Sequence, residues 1–338
     1  MPNACLQGIA NAPEAFTLDA DGRVALAVGG EITTVPVRVR CPHCNTLCQV
    51  GEQHLGVPVQ CAFCERQFTA RAAAAGPVRL EIGGATSAGR VRKRNEDSFL
   101  VGHLAWSNLD ERRDLALIVV ADGMGGHAAG DRASGLVVRL LGNALLPLLT
   151  QALAAPPRDA AAAGVPAALA DALQEANRAV LQQAKSGPAY KGMGATAAAV
   201  LIWDGLAVIG HVGDCRVYHY QAGRLTQVTE DQTLVARMVA MGRLTPQEAR
   251  VHPSRNEVAQ AVGRQPDLEP GAYQVRLTAG DWLLAACDGL QAHLDTAALQ
   301  QELGQPGAVA AGVAQRLVDL ANQKGGSDNC TAVAVRCY

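Results

Sequence analysis

Apolar segments that end at an aspartate are the most constraining feature of this 338-residue chain. Seven apolar residues, 115–121, lead directly into Asp122, after which the sequence becomes rich in glycine. An apolar run of this length, with isoleucine and valine, is typical of a strand buried on both faces. A carboxylate at the end of such a strand costs too much free energy to remain without a cation. The segment therefore predicts a divalent metal site.

Three further acids stand at the ends of apolar segments. Asp214 closes AVIGHVGD, Asp288 follows WLLAAC, and Asp328 comes just before CTAVAVR. A single aspartate beside glycine is usually a turn former or a helix cap. Four such acids in a chain that is only 18% charged favour one shared, oxygen-rich site. Oxygen ligands suit Mg²⁺ or Mn²⁺, whereas zinc prefers nitrogen and sulfur.

The charge balance indicates which partners to expect. A net charge of −2 lacks the basic excess of a nucleic-acid-binding protein and gives no reason to expect an anionic membrane surface. Residues 1–16 have neither the basic start nor the apolar core of a signal peptide. The most apolar helical stretch, 136–155, is interrupted by Arg139 and Pro147, which argues against a membrane span. We expect a cytoplasmic protein without nucleic-acid or membrane partners.

Two CxxC pairs lie between residues 38 and 70. Cys41 and Cys44 form the first pair, Cys61 and Cys64 form the second, and sixteen residues separate them. This spacing is typical of a Cys₄ zinc site, and metal binding supplies folding energy to a module this small. The pattern predicts a zinc-ribbon-like module with one structural Zn²⁺. A redox role for the pairs is the alternative, and the absence of a βαβ pattern argues against it.

Cysteine usage and composition also suggest the domain organisation. The six cysteines outside these pairs are scattered singly, which favours a reducing compartment. His43 and Cys48 are close enough in sequence to act as spare zinc ligands, although an exposed ring and a free thiol are the simpler interpretation. We predict an N-terminal segment at 1–75, with the module at about 38–70, and a second domain at 78–338.

The second domain is predicted to alternate between strands and helices. A long helix is expected from near Asp131 towards Leu153. The runs at 192–203 and 205–220 are expected to be strands of one meander. Thr245, followed by proline, predicts the N-cap of a short helix.

Seven ordered motifs give residues 78–338 a resemblance to a known family. They are GRVRKRNEDSF (89–99), VADGMGGHAAGDRAS (120–134), GMGATAAAV (192–200), GHVGDCRVYHYQAGRLTQVTEDQT (210–233), LTPQEA (244–249), DWLLAACDGL (281–290) and GSDNCTAV (326–333). In this order they resemble the metal-dependent, type 2C serine/threonine protein phosphatases in their bacterial form. Each motif alone is weak, whereas the full ordered set is specific.

The resemblance implies a fold and a set of metal ligands. The fold class would be α+β, a four-layer sandwich of two antiparallel β-sheets flanked by helices, with the metal centre at one end. Two Mn²⁺ or Mg²⁺ ions would bind there, with a weaker third site. By this resemblance Asp122 bridges two ions and the Gly123 carbonyl helps to bind one of them. Asp288 and Asp328 complete the other site, and Asp214 helps to hold the third ion.

The resemblance also assigns the residues around the metals. Glu96 and Asp97 would support the cluster through waters or hydrogen bonds. Arg92 would grip the substrate phosphate, because a planar guanidinium can bind two phosphate oxygens together. A metal-activated hydroxide would then attack the phosphorus in line. From the local sequence alone, the basic run Arg92, Lys93 and Arg94 is equally well explained as a solvated turn.

Some positions depart from the family pattern or concern substrate choice. Cys215 and Cys287 replace the usual serines, and a thiol beside a metal ligand would make the enzyme sensitive to oxidation. Met124 stands where eukaryotic members carry a general-acid histidine. The leaving alkoxide is therefore expected to take its proton from water, with His127 as the alternative. Residues 231–263 resemble the mobile flap beside the active site, which is thought to affect substrate choice.

Together these features predict a metal-dependent phosphatase acting on phosphoserine and phosphothreonine in proteins that a serine/threonine kinase has modified. The N-terminal zinc module would dock protein partners or substrates. A non-catalytic scaffold of the same fold that binds phosphoproteins is the alternative. Loss of a metal-binding acid would indicate the scaffold, and none is lost. A zinc-ribbon nucleic-acid binder is a third hypothesis, and the acidic charge balance argues against it.

Overall fold

The chain divides into two compact units, Met1–Gly76 and Pro77–Tyr338, and each is described by itself. The computed structural model describes residues 6–8, 17–18, 24–25, 36–41, 43, 47–51, 57–61, 63–70, 78–108, 112–125, 129–154 and 164–338.

The first unit contains short antiparallel strands. They are β1 (Leu6–Gly8), β2 (Thr17–Leu18), β3 (Val24–Ala25), β4 (Pro36–Arg40), β5 (Leu47–Gly51), β6 (Pro58–Cys61) and β7 (Gln67–Thr69). Strands β1, β6 and β7 form one sheet, β2 pairs with β3, and β4 pairs with β5. Val59 and Phe68 face each other across β6 and β7, and both are buried. They are a small apolar contact for a unit of this size.

The second unit contains the larger elements. Its strands are β8 (Leu80–Ser87), β9 (Asp97–Ser107), β10 (Arg112–Met124), β11 (Gly194–Trp203), β12 (Leu206–Val212), β13 (Arg216–Gln221), β14 (Arg224–Gln227), β15 (Gly271–Arg276), β16 (Trp282–Ala286) and β17 (Cys330–Cys337). Its α-helices are α1 (Ala129–Ala154), α2 (Val165–Ala184), α3 (Leu234–Ala240), α4 (Pro246–Val251), α5 (Asp288–Gln291), α6 (Thr296–Leu303) and α7 (Ala310–Gln323).

These strands form two antiparallel five-stranded sheets. The first sheet has the order β15-β12-β11-β10-β9, and the second has the order β14-β13-β16-β17-β8. Every residue of β11, β12 and β16 is buried, as expected for strands that are covered on both faces. The apolar run 115–121 is likewise buried throughout, within β10. The predicted architecture of two antiparallel sheets with helices is confirmed.

Helix α1 packs on the outer face of the first sheet. Val137, Leu141, Leu145 and Leu149 recur every four residues and are almost fully buried in the core shared with β10 and β11. The helix begins and ends within two residues of the predicted bounds. By length and composition α1 is apolar enough to cross a membrane, a property that the core helices of globular proteins share. The buried stripe makes one face of α1 part of the core of the second unit.

Helix α7 packs on the second sheet. Val313, Leu317 and Ala321 are buried in a core cluster with strand residues such as Leu284 and Ala332. Helix α6 adds Leu299 and Leu303 to the same cluster. Helices therefore cover an outer face of each sheet.

The run 205–220 is not part of one meander. Strand β12 pairs with β11 in the first sheet, whereas β13 pairs with β16 in the second. The chain crosses between the sheets at Gly213, whose φ of 99° favours glycine, and a Cβ there would lie 2.3 Å from Thr196 Cγ2. The meander prediction is wrong because an apolar pattern does not specify which sheet a strand joins. The crossover carries Asp214 to one end of the sandwich.

Candidate active site

The predicted acids come from strand ends in both sheets. Asp97 begins β9 and lies directly opposite Asp122, near the end of β10. Asp214 follows the crossover glycine between the sheets, and Asp288 begins α5 directly after β16. Asp328 lies two residues before β17. The antiparallel register therefore gathers acids that are up to 231 residues apart in sequence, as the strand-end pattern predicts.

Glycines allow the start of α1 to approach these acids closely. The Gly123 amide donates to the Glu96 carbonyl at 3.0 Å. A Cβ at Gly123 would lie 2.1 Å from the Gly130 carbonyl oxygen, and a Cβ at Gly130 would lie 2.6 Å from a Glu96 carboxylate oxygen. Gly123 has no room for a side chain, because the obstructing atoms are backbone, and a side chain at Gly130 would displace the Glu96 carboxylate. The first turn of α1 is thus held against the acidic cluster.

Burial raises the pKa of the central carboxyl groups. It raises the pKa of Asp97 and of Asp214 to about 7, and the nearby charge of Asp288 contributes to both shifts. Burial also raises the pKa of Asp122 well above its ordinary range, and the charges of Asp97 and Asp288 add to this effect. The pKa of Asp288 is raised for the same first reason, its burial. These groups repel one another when ionised, so the cluster favours bound cations.

Asp97 has one satisfied and one unsatisfied oxygen. Thr331 Oγ1 donates to Asp97 Oδ2 at 2.7 Å, whereas Asp97 Oδ1 is buried without a hydrogen-bond partner. Asp97 itself is only 7% exposed. Buried polar atoms are almost always paired, so the unpaired oxygen is a place for a cation or its bound water.

Arg92 lies at the entrance of the cluster. Its Nη2 is 2.7 Å from Asp328 Oδ2, and its side chain is 53% exposed. The hydrogen bond to Asp328 raises the pKa of Arg92, and the charges of Glu96 and Asp122 contribute. An exposed guanidinium that is held by one carboxylate can exchange it for a phosphate group.

Asn329 is a positioning residue that the sequence analysis missed. Its Nδ2 donates to the carbonyls of Ala88 and Arg94, at 3.0 and 2.8 Å. Its Oδ1 accepts from the Glu96 amide at 2.8 Å. One amide side chain therefore fixes both ends of the loop that carries Arg92. Its place directly after a predicted ligand was the only sequence signal, and an asparagine there reads equally well as a turn former.

The two cysteines that replace the usual serines are sequence neighbours of predicted metal ligands, since Cys215 follows Asp214 and Cys287 precedes Asp288. Cys215 and Cys287 are fully buried, and their sulfur atoms are 3.9 Å apart. Thr196 Oγ1 lies 3.1 Å from Cys215 Sγ. The hydrogen bond with Cys215 and burial raise the pKa of Cys287 well above its ordinary range, which keeps this thiol protonated. The expected sensitivity to oxidation stays a prediction.

The remaining predicted positions are the candidate general-acid positions, Met124 and His127, and the flap-like segment 231–263. Met124 is the last residue of β10, and His127 lies outside the described residues. In the flap-like segment, Thr233 caps α3. Thr245 and Glu248 form the capping box of α4, as the Thr-Pro signal predicts.

The donor set fits hard divalent cations. Each predicted ligand offers oxygen, burial and neighbouring acids raise the pKa values of the central carboxyl groups, and one buried oxygen is unpaired. Among the described residues, the sole group of three ligand atoms lying within 4.8 Å of one another is formed by cysteines of the first unit. The individual ligand roles of Asp122, Gly123, Asp214, Asp288 and Asp328 stay predictions.

The cysteine group of the first unit consists of Cys41, Cys61 and Cys64. Cys41 and Cys61 are buried, and the sulfur atoms of Cys41 and Cys64 are 3.7 Å apart. Cys44 lies outside the described residues. His43 Nε2 lies 3.2 Å from the Gln67 carbonyl oxygen, so this ring has a partner other than a metal.

Comparison with known proteins defines the class to which this fold and site belong. A sequence profile described as protein phosphatase 2C matches residues 86–315, more than half of the chain. The chain therefore belongs to the protein phosphatase 2C family.

Characterised relatives are similar over the second unit. The chain is 36% identical over 245 residues to the serine/threonine protein phosphatase PstP of Mycobacterium tuberculosis, a match that covers 72% of this chain and 42% of PstP. It thus spans about two fifths of the length of that relative. It is 32% identical over 256 residues to the protein phosphatase PhpP of Streptococcus pneumoniae, covering 76% of this chain and 97% of PhpP.

Solved structures show the same fold. The serine/threonine phosphatase of S. agalactiae superposes with a TM-score of 0.65 at 31% identity, covering 76% of this chain and 99% of that chain. The catalytic domain of PstP, solved in complex with two manganese ions, gives a TM-score of 0.61 at 33% identity, covering 77% and 98%. The similarity confirms the expected type 2C architecture of the second unit.

Proposed function

We propose that this chain is a metal-dependent serine/threonine protein phosphatase that hydrolyses phosphoserine and phosphothreonine in proteins. The observation that carries the proposal is the cluster of buried strand-end aspartates with raised pKa values, beside the exposed arginine Arg92. The phosphatase names of the relatives support it. The substrates would be proteins phosphorylated by a serine/threonine kinase.

Asp122, Asp288 and Asp328 would hold two Mn²⁺ or Mg²⁺ ions, together with the Gly123 carbonyl. Asp214 would hold a weaker third ion. When bound, these cations supply a nucleophile at neutral pH and withdraw charge from the phosphate. Binding of such ions would relieve the mutual repulsion of the ionised carboxylates.

The side chains around the acids bind and orient the substrate. Arg92 would release Asp328 and bind two phosphate oxygens with its planar fork. Asn329 keeps the Arg92 loop in place through its three hydrogen bonds, which limits misalignment of the phosphorus. Glu96 and Asp97 would accept hydrogen bonds from waters at the site. The leaving serine or threonine oxygen would take its proton from water, because Met124 has no proton to donate.

Hydrolysis of defined phosphopeptides tests this proposal. The full chain is incubated with Mn²⁺ and with matched phosphothreonine, phosphoserine and phosphotyrosine peptides, and released inorganic phosphate is measured. We expect phosphate from the first two peptides in the presence of Mn²⁺ and none after chelation. Tight binding of the peptides without any release of phosphate would overturn the catalytic proposal and support the scaffold alternative.

We further propose that the first unit binds one structural Zn²⁺ through Cys41, Cys44, Cys61 and Cys64. The sulfur atoms of Cys41 and Cys64 are 3.7 Å apart. Tetrahedral zinc with Zn–S bonds of about 2.3 Å places its sulfur ligands roughly 3.8 Å apart. The Cys41–Cys64 distance therefore matches the spacing that zinc requires. Metal binding would also stabilise a unit with little apolar core of its own.

Metal analysis of the purified chain tests the zinc site. We expect close to one zinc per chain, lost in Cys61→Ser and retained in Cys337→Ser, a buried cysteine of the second unit. Equal zinc content in the two variants would contradict the proposal.

We propose that the zinc module docks phosphoprotein substrates or partners. Removal of residues 1–75 should weaken hydrolysis of a protein substrate while leaving hydrolysis of a small aryl phosphate unchanged.

We also propose that the chain resides in the cytoplasm without membrane attachment. The singly scattered cysteines and the net charge of −2 support this localisation. Recovery of the chain with the membrane fraction of lysed cells would contradict it.

A further inference from the structure

His293 connects the segment that begins with Asp288 to the loop that carries Asp328. It lies between α5 and α6, and its Nε2 accepts the Ser327 amide hydrogen at 3.0 Å. Because a backbone N–H only donates, Nε2 must carry the lone pair, and Nδ1 then holds the ring proton. Ser327 Oγ also lies 3.0 Å from Nε2, so the hydroxyl is a second polar group of Ser327 beside the same nitrogen.

The loop that His293 contacts begins with a glycine turn. Gly325 and Gly326 precede Ser327 with φ values of 140° and 54°, which glycine adopts far more readily than other residues. The His293 ring lies against this turn, since a Cβ at Gly325 would be 3.1 Å from His293 Cε1. The imidazole therefore restrains the turn by contact and the following residue by hydrogen bonds.

Asp328 is thus held on both sides by the segment that follows Asp288. On one side, a Cβ at Gly289 would lie 1.8 Å from the Asn329 carbonyl oxygen, which shows how closely α5 packs on the start of β17. On the other side, His293 binds Ser327. The two contacts fix the loop relative to the first turn of α5. They connect the segment that begins with Asp288 to the loop that carries Asp328.

We propose that His293 is a positioning residue for the metal site, keeping the Asp328 loop aligned with Asp288 through its acceptor Nε2. The inference rests on the proposed metal-dependent function and adds a residue outside the acidic cluster to it. Residues that orient metal ligands affect affinity strongly, and their loss typically weakens binding about 10- to 100-fold.

Three histidine variants of the full chain test the proposal. In His293→Ala, we expect the Mn²⁺ dissociation constant from calorimetry to rise about 10- to 100-fold. In the metal-free variant, the Ser327 amide should exchange with deuterium faster than in the wild type. His293→Gln keeps an acceptor of similar reach and should restore the affinity to within about threefold of the wild type. His103→Ala removes a different histidine hydrogen bond, to Asp114 on β10, and should leave Mn²⁺ binding unchanged.

The outcomes separate this proposal from the function on which it rests. Wild-type protein that binds no Mn²⁺ would overturn the proposed function, and the role of His293 with it. Wild-type binding with unchanged affinity and unchanged Ser327 exchange in His293→Ala would overturn the role of His293 alone. Equal loss of affinity in His293→Ala and His103→Ala would also overturn it, since a general loss of stability would then explain both. Failure of His293→Gln to restore binding would contradict the acceptor role of Nε2.

Discussion

Single residues determine whether this site can hold a phosphate group. Arg92 is paired with Asp328 and is half exposed, so it can release the carboxylate and bind the substrate without moving a core element. Guanidinium and ammonium groups differ at such a position, because only the guanidinium presents two donors in one plane.

We predict that Arg92→Ala lowers kcat/KM for an aryl phosphate by about 100- to 1000-fold, the usual cost of losing a charge-stabilising donor. Arg92→Lys should recover only part of this loss, because a point charge cannot bind two oxygens together. Arg178→Ala, which removes an exposed arginine paired with Glu175 on α2, is the matched control and should retain full activity. A fully active Arg92→Lys would contradict the bidentate role.

At this scale the sequence predicted the acids and missed the residues that position them. Asp122 and Asp288 were recognised because a carboxylate at the end of a buried strand requires a cation. Asn329 and His293 act through contacts with residues 34 to 241 positions away in sequence, so no local pattern reveals them. Asparagine and histidine are common side chains, and the contacts of these two residues are visible only in the folded structure.

At the scale of elements, stability depends on the helices that cover the sheets. Helix α1 carries a stripe of leucines into the core beneath the site, and its first turn lies against Glu96. Its period of about four residues made its position predictable from the sequence. The exchange of sheets between β12 and β13 was not predictable, because it depends on a glycine conformation and on pairing with distant strands.

We predict that Leu141→Ala lowers the free energy of unfolding by about 2–5 kcal/mol, since this fully buried side chain would leave a cavity. Asn143→Ala, on the exposed face of the same helix, should change it by less than about 0.5 kcal/mol. Urea denaturation followed by circular dichroism measures both values. Equal effects of the two substitutions would show that α1 does not contribute to the core as described.

At the scale of the whole molecule, the acidic cluster couples stability to pH and metal. The pKa values of Asp97 and Asp214 are raised from 3.8 to about 7 in the folded chain, as a result of burial and nearby charge. Between pH 3.8 and about pH 7, the folded state therefore binds more protons than the unfolded state. Without metal, stability from this source is present at low pH and is lost as pH rises through about 7.

We therefore predict that Mn²⁺ raises Tm more at pH 8 than at pH 5.5, because metal binding requires the ionised carboxylates. Scanning calorimetry with Mn²⁺ and with a chelator at each pH measures the difference. Asp97→Asn should flatten the pH dependence of the metal-free protein. An increase in Tm that is equal at both pH values, or larger at pH 5.5, would contradict the assigned titrations.

The overall architecture was predictable by resemblance rather than from physical patterns alone. The alternation of strands and helices is visible in the sequence, whereas the arrangement as two antiparallel sheets flanked by helices followed only from the ordered family motifs. The first unit illustrates the opposite case. Its cysteine spacing predicts a metal site directly, and Cys41, Cys61 and Cys64 do lie together, whereas the protein phosphatase 2C match covers residues 86–315 of the second unit.

The most direct test of a metal-dependent phosphatase is aryl-phosphate hydrolysis with and without Mn²⁺, comparing the wild type with Asp288→Asn. We predict activity that requires Mn²⁺ and falls about 100-fold or more in the variant, because a neutral amide binds the cation weakly. Asp319→Asn, an exposed aspartate on α7, is the control and should match the wild type. Mn²⁺-dependent activity that Asp288→Asn fully retains would contradict the assignment of the acidic cluster as the catalytic centre.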